Sequence, residues 1–149
     1  MKYKYLIITI IASLIMGCAS GPGYVVSQEW APEELAEVSI YRTDTFFHSG
    51  NPERPFFYIN DKLVAKLGTG MAVSTKVKAG KHIITVRQPI LFMPAYESDR
   101  LEYEFEKGKK YYIRYSKNFS DVTNLGGTFV ATGTSSFVLA DKKSFEKRK

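Results

Sequence analysis

From Glu37 onward the chain is cut into runs too short, and too rich in β-branched and aromatic residues, to be helices; this cadence limits the fold more than any other feature. EVSIYR (Glu37 to Arg42), PFFYI (Pro55 to Ile59) and KLVAKL (Lys62 to Leu67) are each bounded by turn-forming residues. MAVSTKV alternates, placing Met71, Val73, Thr75 and Val77 on one face and Ala72, Ser74 and Lys76 on the other. Asn60-Asp61 suits a two-residue hairpin turn because both residue types tolerate positive φ, and Ala79-Gly80 suits a second turn ahead of KHIITVRQ. Seven to nine strands joined by short turns predict an all-β domain, a small antiparallel β-sandwich or an open barrel.

The clearest strand pairing is at LEYEFEKGKKYYIRYS. A three-residue loop at Lys107-Gly108-Lys109 would set Phe105 opposite Tyr111, Tyr103 opposite Ile113 and Leu101 opposite Tyr115. The other face would then pair Glu106 with Lys110 and Glu102 with Arg114, a solvated face in which each charge pair adds only about 0.2–1 kcal/mol. A slip of one residue would mix the two faces, so the alternation selects this loop length. GGTFVATGTSSFVLAD is read as one long strand bent at Gly133 or as two short ones, and the basic ending KKSFEKRK as a frayed tail.

The order VSIYR, FFYINDKLVAKLGTG and VKAGKHIITV resembles a bacterial lipoprotein family known as domain of unknown function 2846. That family shows a Tyr-Arg strand, a variable loop, an Ile-Asp-Gly-Lys hairpin and a strand leading to Pro-Gly-Lys-His. Here Asn60-Asp61 stands where the family has Asp-Gly, and Ala79 where it has Pro. The resemblance runs from about Glu37 to Ser116. It implies a small β-sandwich and brings no activity or site residues.

The first 17 residues have a different character. Lys2 and Lys4 precede an apolar stretch from Leu6 to Met16, and small Gly17 stands before Cys18, the layout of a secretory signal peptide. A spanning helix needs roughly 20 apolar residues, and this run stops short of that and meets ASGPG. Leu14-Ile15-Met16-Gly17-Cys18 resembles the bacterial lipobox, which implies that Cys18 becomes a lipid-bearing N-terminus. The alternative is a free thiol after an ordinary signal. Cys18 is the one cysteine of the chain, so no internal disulfide can form and lipidation would remove a reactive group. Two or three acyl chains anchor stably, at about 0.8 kcal/mol per buried CH₂. Ala19, rather than Asp, follows the cysteine; in a Gram-negative host this resembles lipoproteins passed on to the outer membrane, facing the periplasm.

The organisation expected is a signal peptide over residues 1–17, a lipidated N-terminus and tether over 18–35, a β-domain over 36–141 and a basic tail over 142–149. Gly21, Pro22, Gly23 and Pro32 break the tether, along which Tyr24 and Trp30 either rest at the lipid interface or pack on the domain. Without the signal, 19 basic and 15 acidic side chains remain, a net charge of +4. That modest excess and export both argue against nucleic acid.

No metal-ligand spacing, nucleophile elbow or cofactor motif is present. His82 opens a strand beside Gly80-Lys81, where it caps a turn or is half buried. His48 lies with Phe46 and Phe47 in RTDTFFHSGNPERP, a long loop whose aromatic residues either fold back over an open end of the sandwich or meet a partner. In QPILFMPAYESD, Pro89 and Pro94 bracket Ile90, Leu91, Phe92 and Met93, either a buried strand edge or an exposed apolar tip. These features favour a non-enzymatic envelope lipoprotein that binds another protein or supports an assembly. The alternative is a sandwich that binds a small ligand or glycan, motivated by 10 Tyr and the aromatic loops.

Overall fold

A computed structural model of the chain describes residues 23–43, 54–90, 92–125 and 128–148, with the backbone alone for 118–125 and 128–133. Its eight strands are β1 (Leu35–Arg42), β2 (Phe56–Ile59), β3 (Lys62–Lys66), β4 (Ala72–Lys78), β5 (Gly80–Ile90), β6 (Met93–Phe105), β7 (Lys110–Leu125) and β8 (Thr128–Ala140). They form two four-stranded sheets, ordered β4-β1-β7-β8 and β3-β2-β5-β6. The architecture is an all-β sandwich, open at its edges. All pairings but one are antiparallel; β1 and β7 run parallel, from Glu37↔Lys110 to Arg42↔Tyr115.

Alternation along each strand sends every second residue inward. Val38 and Ile40 from β1, Val77 from β4 and Ile113 and Tyr115 from β7 meet Phe57, Ile59, Ile84, Val86 and Phe105 from the facing sheet. Burying each of these stabilises the fold by about 1.5–3 kcal/mol. The outward face of β2 is also covered. Lys66 Nζ lies over the Phe56 ring at 4.4 Å and the Arg87 guanidinium over the Tyr58 ring at 4.6 Å, cation–π contacts that cover the two ring faces.

The Asn60-Asp61 turn forms as expected, with φ values of 49° and 60°. Beyond it the chain changes layers. Ala79 carries it from β4 in one sheet to β5 in the other, with Gly80 at φ 127°.

The ladder expected between Leu101 and Tyr115 is not formed. The Lys107-Gly108-Lys109 turn also changes layers: β6 pairs with β5, and β7 with β1 and β8. Leu101, Tyr103, Phe105, Tyr111, Ile113 and Tyr115 do belong to one interior, but they meet across it. The Phe105 and Tyr111 ring centroids are 4.9 Å apart and Tyr103 and Tyr111 5.5 Å, both T-shaped. The reason lies in the backbone. Gly108 N donates to Leu35 O and Glu37 N to Lys109 O, so β1 takes the main-chain groups that a hairpin would have used. The charges are re-paired accordingly, Glu102 with Lys81 at 2.7 Å and Lys110 with Glu37 at 2.9 Å.

β8 is a single strand, and the register break in its partner, between Phe119 and Asp121, falls where Gly133 stands opposite Phe119. The basic ending is folded rather than frayed. Asp141 caps a one-turn helix, α1 (Lys142–Glu146), by accepting from Ser144 N, and Phe145 packs edge-on against Tyr41 at 5.3 Å. Part of the segment expected as a tether packs on the domain. Tyr24 N donates to Leu63 O of β3 while its hydroxyl donates to Lys76 O of β4, so Tyr24 spans the open side between the two sheets.

Candidate interaction site

Strand direction brings the described flanks of the segment that holds Phe46, Phe47 and His48 to the same end of the sandwich as the β5–β6 turn. β7 runs from Tyr111, beside Phe105, to Tyr115, whose hydroxyl accepts from Gln88 Nε2 at 2.9 Å. β5 runs the same way, from Gly80 opposite Phe105 to Ile90. β1 ends at this level, with Arg42 opposite Tyr115, and β2 begins here, with Phe56 opposite Arg87. Both ends of the segment from residue 43 to 55 therefore lie at the end that also carries the β5–β6 turn. Phe46, Phe47, His48 and Leu91 lie outside the described residues, as does Cys18.

The β5–β6 turn is the most exposed apolar feature described. Ile90 pairs with Met93, leaving positions 91 and 92 as its connection. Phe92 adopts a left-handed backbone, φ 66°, and is 92% exposed. Ile90, Met93 and Tyr96 are 55%, 53% and 55% exposed. Of the two sequence alternatives for this segment, the exposed tip is the one found. Two breaks in register, between Val86 and Arg87 and between Arg87 and Pro89, re-aim the last part of the hairpin. Beneath them Gln88 is buried and donates to Ser98 Oγ at 2.8 Å as well as to Tyr115, which ties the base of the hairpin to the opposite sheet. The tip is therefore a mounted feature, apolar outside and bonded beneath.

His82 is fully engaged elsewhere. Its Nε2 lies 2.7 Å from Lys78 O, an acceptor, so Nε2 carries the proton and Nδ1 accepts from Asn60 Nδ2 at 2.9 Å. Asn60 Oδ1 in turn accepts from Ile83 N. This chain of bonds fixes the tautomer and locks the β2–β3 turn onto β5, the turn-capping role. Among the described residues no group of three or more His, Cys, Asp and Glu is placed to hold a metal ion.

The described aromatic residues mostly fill the core. Phe57, Tyr115 and Phe137 interlock with centroids 5.3–6.3 Å apart. A shallow cleft of about 120 Å³ opens at the other end of the molecule, between Pro32, Leu35, Lys76 and Lys109, and has no aromatic wall. Sequence reasoning missed the two hairpin bulges, which no local residue signal announced, and the uncharged edge of β8, which was legible as a 13-residue run without charge or proline.

Comparison with protein-family models finds no match, and comparison with curated proteins finds none either.

Proposed function

We propose that this chain is a lipid-anchored, non-enzymatic module of the bacterial cell envelope that docks on another envelope protein through the end carrying Phe92. The anchor is Cys18, read from the Leu14 to Cys18 lipobox. Where the host is Gram-negative, Ala19 after the cysteine directs the module to the outer membrane, facing the periplasm. The loose likeness to the lipoprotein family of domain 2846 agrees with this setting and adds no chemistry.

The single observation that carries docking is the Phe92 tip. An aromatic residue held in the left-handed region costs about 1 kcal/mol or more, and at 92% exposure the isolated domain returns little of that through burial. Ile90, Met93 and Tyr96 beside it offer a large, adaptable apolar surface suited to an interface centre.

A photo-crosslinking residue at position 92, used in living cells and read by mass spectrometry, tests the reading. A discrete crosslinked protein that disappears when Met93→Ser is added supports it. Lipid adducts alone, or no adduct, overturn it. The anchor is tested separately: fatty-acid label should enter the chain and be lost with Cys18→Ala, whereas a titratable thiol on a freely diffusing chain sinks the lipoprotein reading.

A further inference from the structure

Edge strands recruit other strands unless charge, proline or a covering segment prevents it. Three of the four sheet edges here are guarded in this way. β3 has Lys62 and Lys66 at its ends and is bridged by Gly23. β4 carries Lys76 and Lys78, with the Tyr24 hydroxyl on Lys76 O. β6 contains Pro94, Glu97, Asp99, Arg100, Glu102 and Glu104.

β8 differs from all three. It reads TFVATGTSSFVLA, 13 residues without a charge or a proline, at the outer edge of its sheet. Val138 and Leu139 point to opposite faces of the strand and are 40% and 46% exposed. β8 does touch β6, where Ser135 Oγ donates to Ser98 O at 2.9 Å. Ser135 shares the face of Phe137, a core-packing residue, so this contact is made from the interior side of the strand.

The length of the ribbon indicates the occupant. Among the described residues, pairing of β7 with β1 ends at Arg42↔Tyr115, whereas pairing of β7 with β8 continues to Leu125↔Thr128. Among the described residues the sheet beyond Tyr115 is thus two strands wide, and such a ribbon is marginal in water without a third strand. A peptide would add one strand. A second copy adds two, along the whole ribbon. Identical strands paired about a two-fold axis place like residues near like, which repels in a charged strand such as β6 and costs nothing in an uncharged one.

We propose that the chain forms a two-fold dimer in which β8 pairs antiparallel with β8 of a second copy, joining two four-stranded sheets into one of eight. This rests on a different surface from the Phe92 tip. The test uses the full chain in detergent micelles, by sedimentation velocity over a wide concentration range with hydrogen–deuterium exchange on the same samples. The expected result is a two-chain species whose β8 amides gain protection as it forms. Val138→Lys and Thr134→Lys, both at exposed positions, should each weaken it by roughly tenfold or more, equivalent to about 1.4 kcal/mol, with unchanged circular dichroism. Phe92→Ser should leave the dimer intact, so loss of docking and loss of dimer are distinguishable. A single-chain species throughout overturns the proposal. So does a dimer that survives both folded lysine variants, one whose β8 amides exchange freely, or one abolished by Phe92→Ser alone.

Discussion

Phe92 is where local stability and exposure pull against each other. A glycine at φ 66° relieves the left-handed strain, and a residue 92% exposed gives up little burial when truncated. The relief outweighs the extra flexibility of the unfolded chain, so Phe92→Gly is expected to stabilise the domain by about 0.5–1 kcal/mol while removing the ring from the proposed docking contact. Chemical denaturation measures the first effect; a clear loss of stability would show that the ring is a structural element instead. His82 behaves in the opposite sense. It is buried and bonded at both ring nitrogens, to Lys78 O and Asn60 Nδ2, and its ring lies 5.8 Å from that of Phe105. Removing it in His82→Ala leaves the Lys78 carbonyl and the Asn60 amide without these partners, which costs about 1–3 kcal/mol in the denaturation midpoint.

At the scale of single elements, α1 is five residues long and cannot be stable by itself, so its cap and its docking residue decide whether it forms. Hydrogen bonding from the Ser144 backbone N–H, and after it from the Ser144 side chain, holds the Asp141 carboxyl below its ordinary range. A depressed carboxylate contributes stability that is present above the unfolded value, about 3.9, and is lost as pH falls through the folded value. Phe145 should therefore detach in acid, before the sheets unfold, from Tyr41 and from Tyr112, whose ring centroid lies 5.0 Å from its own, seen by NMR as loss of the ring-current shifts on those two tyrosines. Asp141→Ala should produce the same detachment at neutral pH. The same scale explains what could be read from the residues. Asn60-Asp61 and the alternation of Leu101, Tyr103 and Phe105 are local, and turn chemistry and period were enough for both. Alternation tells which way a side chain points and not which strand lies alongside, so one neighbour of β7 stayed hidden: it is β1, about seventy residues away, in a parallel register that no turn specifies. For the same reason the apolar run around Phe92 was visible while its exposure was not, since that depends on Gln88 reaching Tyr115 and on two bulges.

At the scale of the whole molecule, Tyr24 is one of the described groups that tie the two sheets together on the β3–β4 side. It lies outside the strands, yet its backbone N–H bonds Leu63 in one sheet, its hydroxyl bonds Lys76 in the other, and its ring packs on the core. Burial pushes the hydroxyl pKa up, consistent with a phenol that stays protonated and donating. Truncating a fully buried aromatic residue costs about 3–5 kcal/mol, and Tyr24 is only partly buried, so Tyr24→Ala is expected to cost roughly 2 kcal/mol, against about 1 kcal/mol for Tyr24→Phe, which loses the hydroxyl bond alone. Hydrogen exchange should respond locally as well, with faster exchange along the exposed edges of β3 and β4 in the alanine variant. The outcome bears on how the module is held. With Tyr24 docked, Cys18 lies only five residues before Gly23, a reach of about 17 Å at full extension, so a lipid at Cys18 would keep the domain close against the bilayer. If Tyr24→Ala instead left stability and edge exchange unchanged, the segment from Gly23 onward would act as part of a tether, and the Phe92 end could sweep a far larger volume.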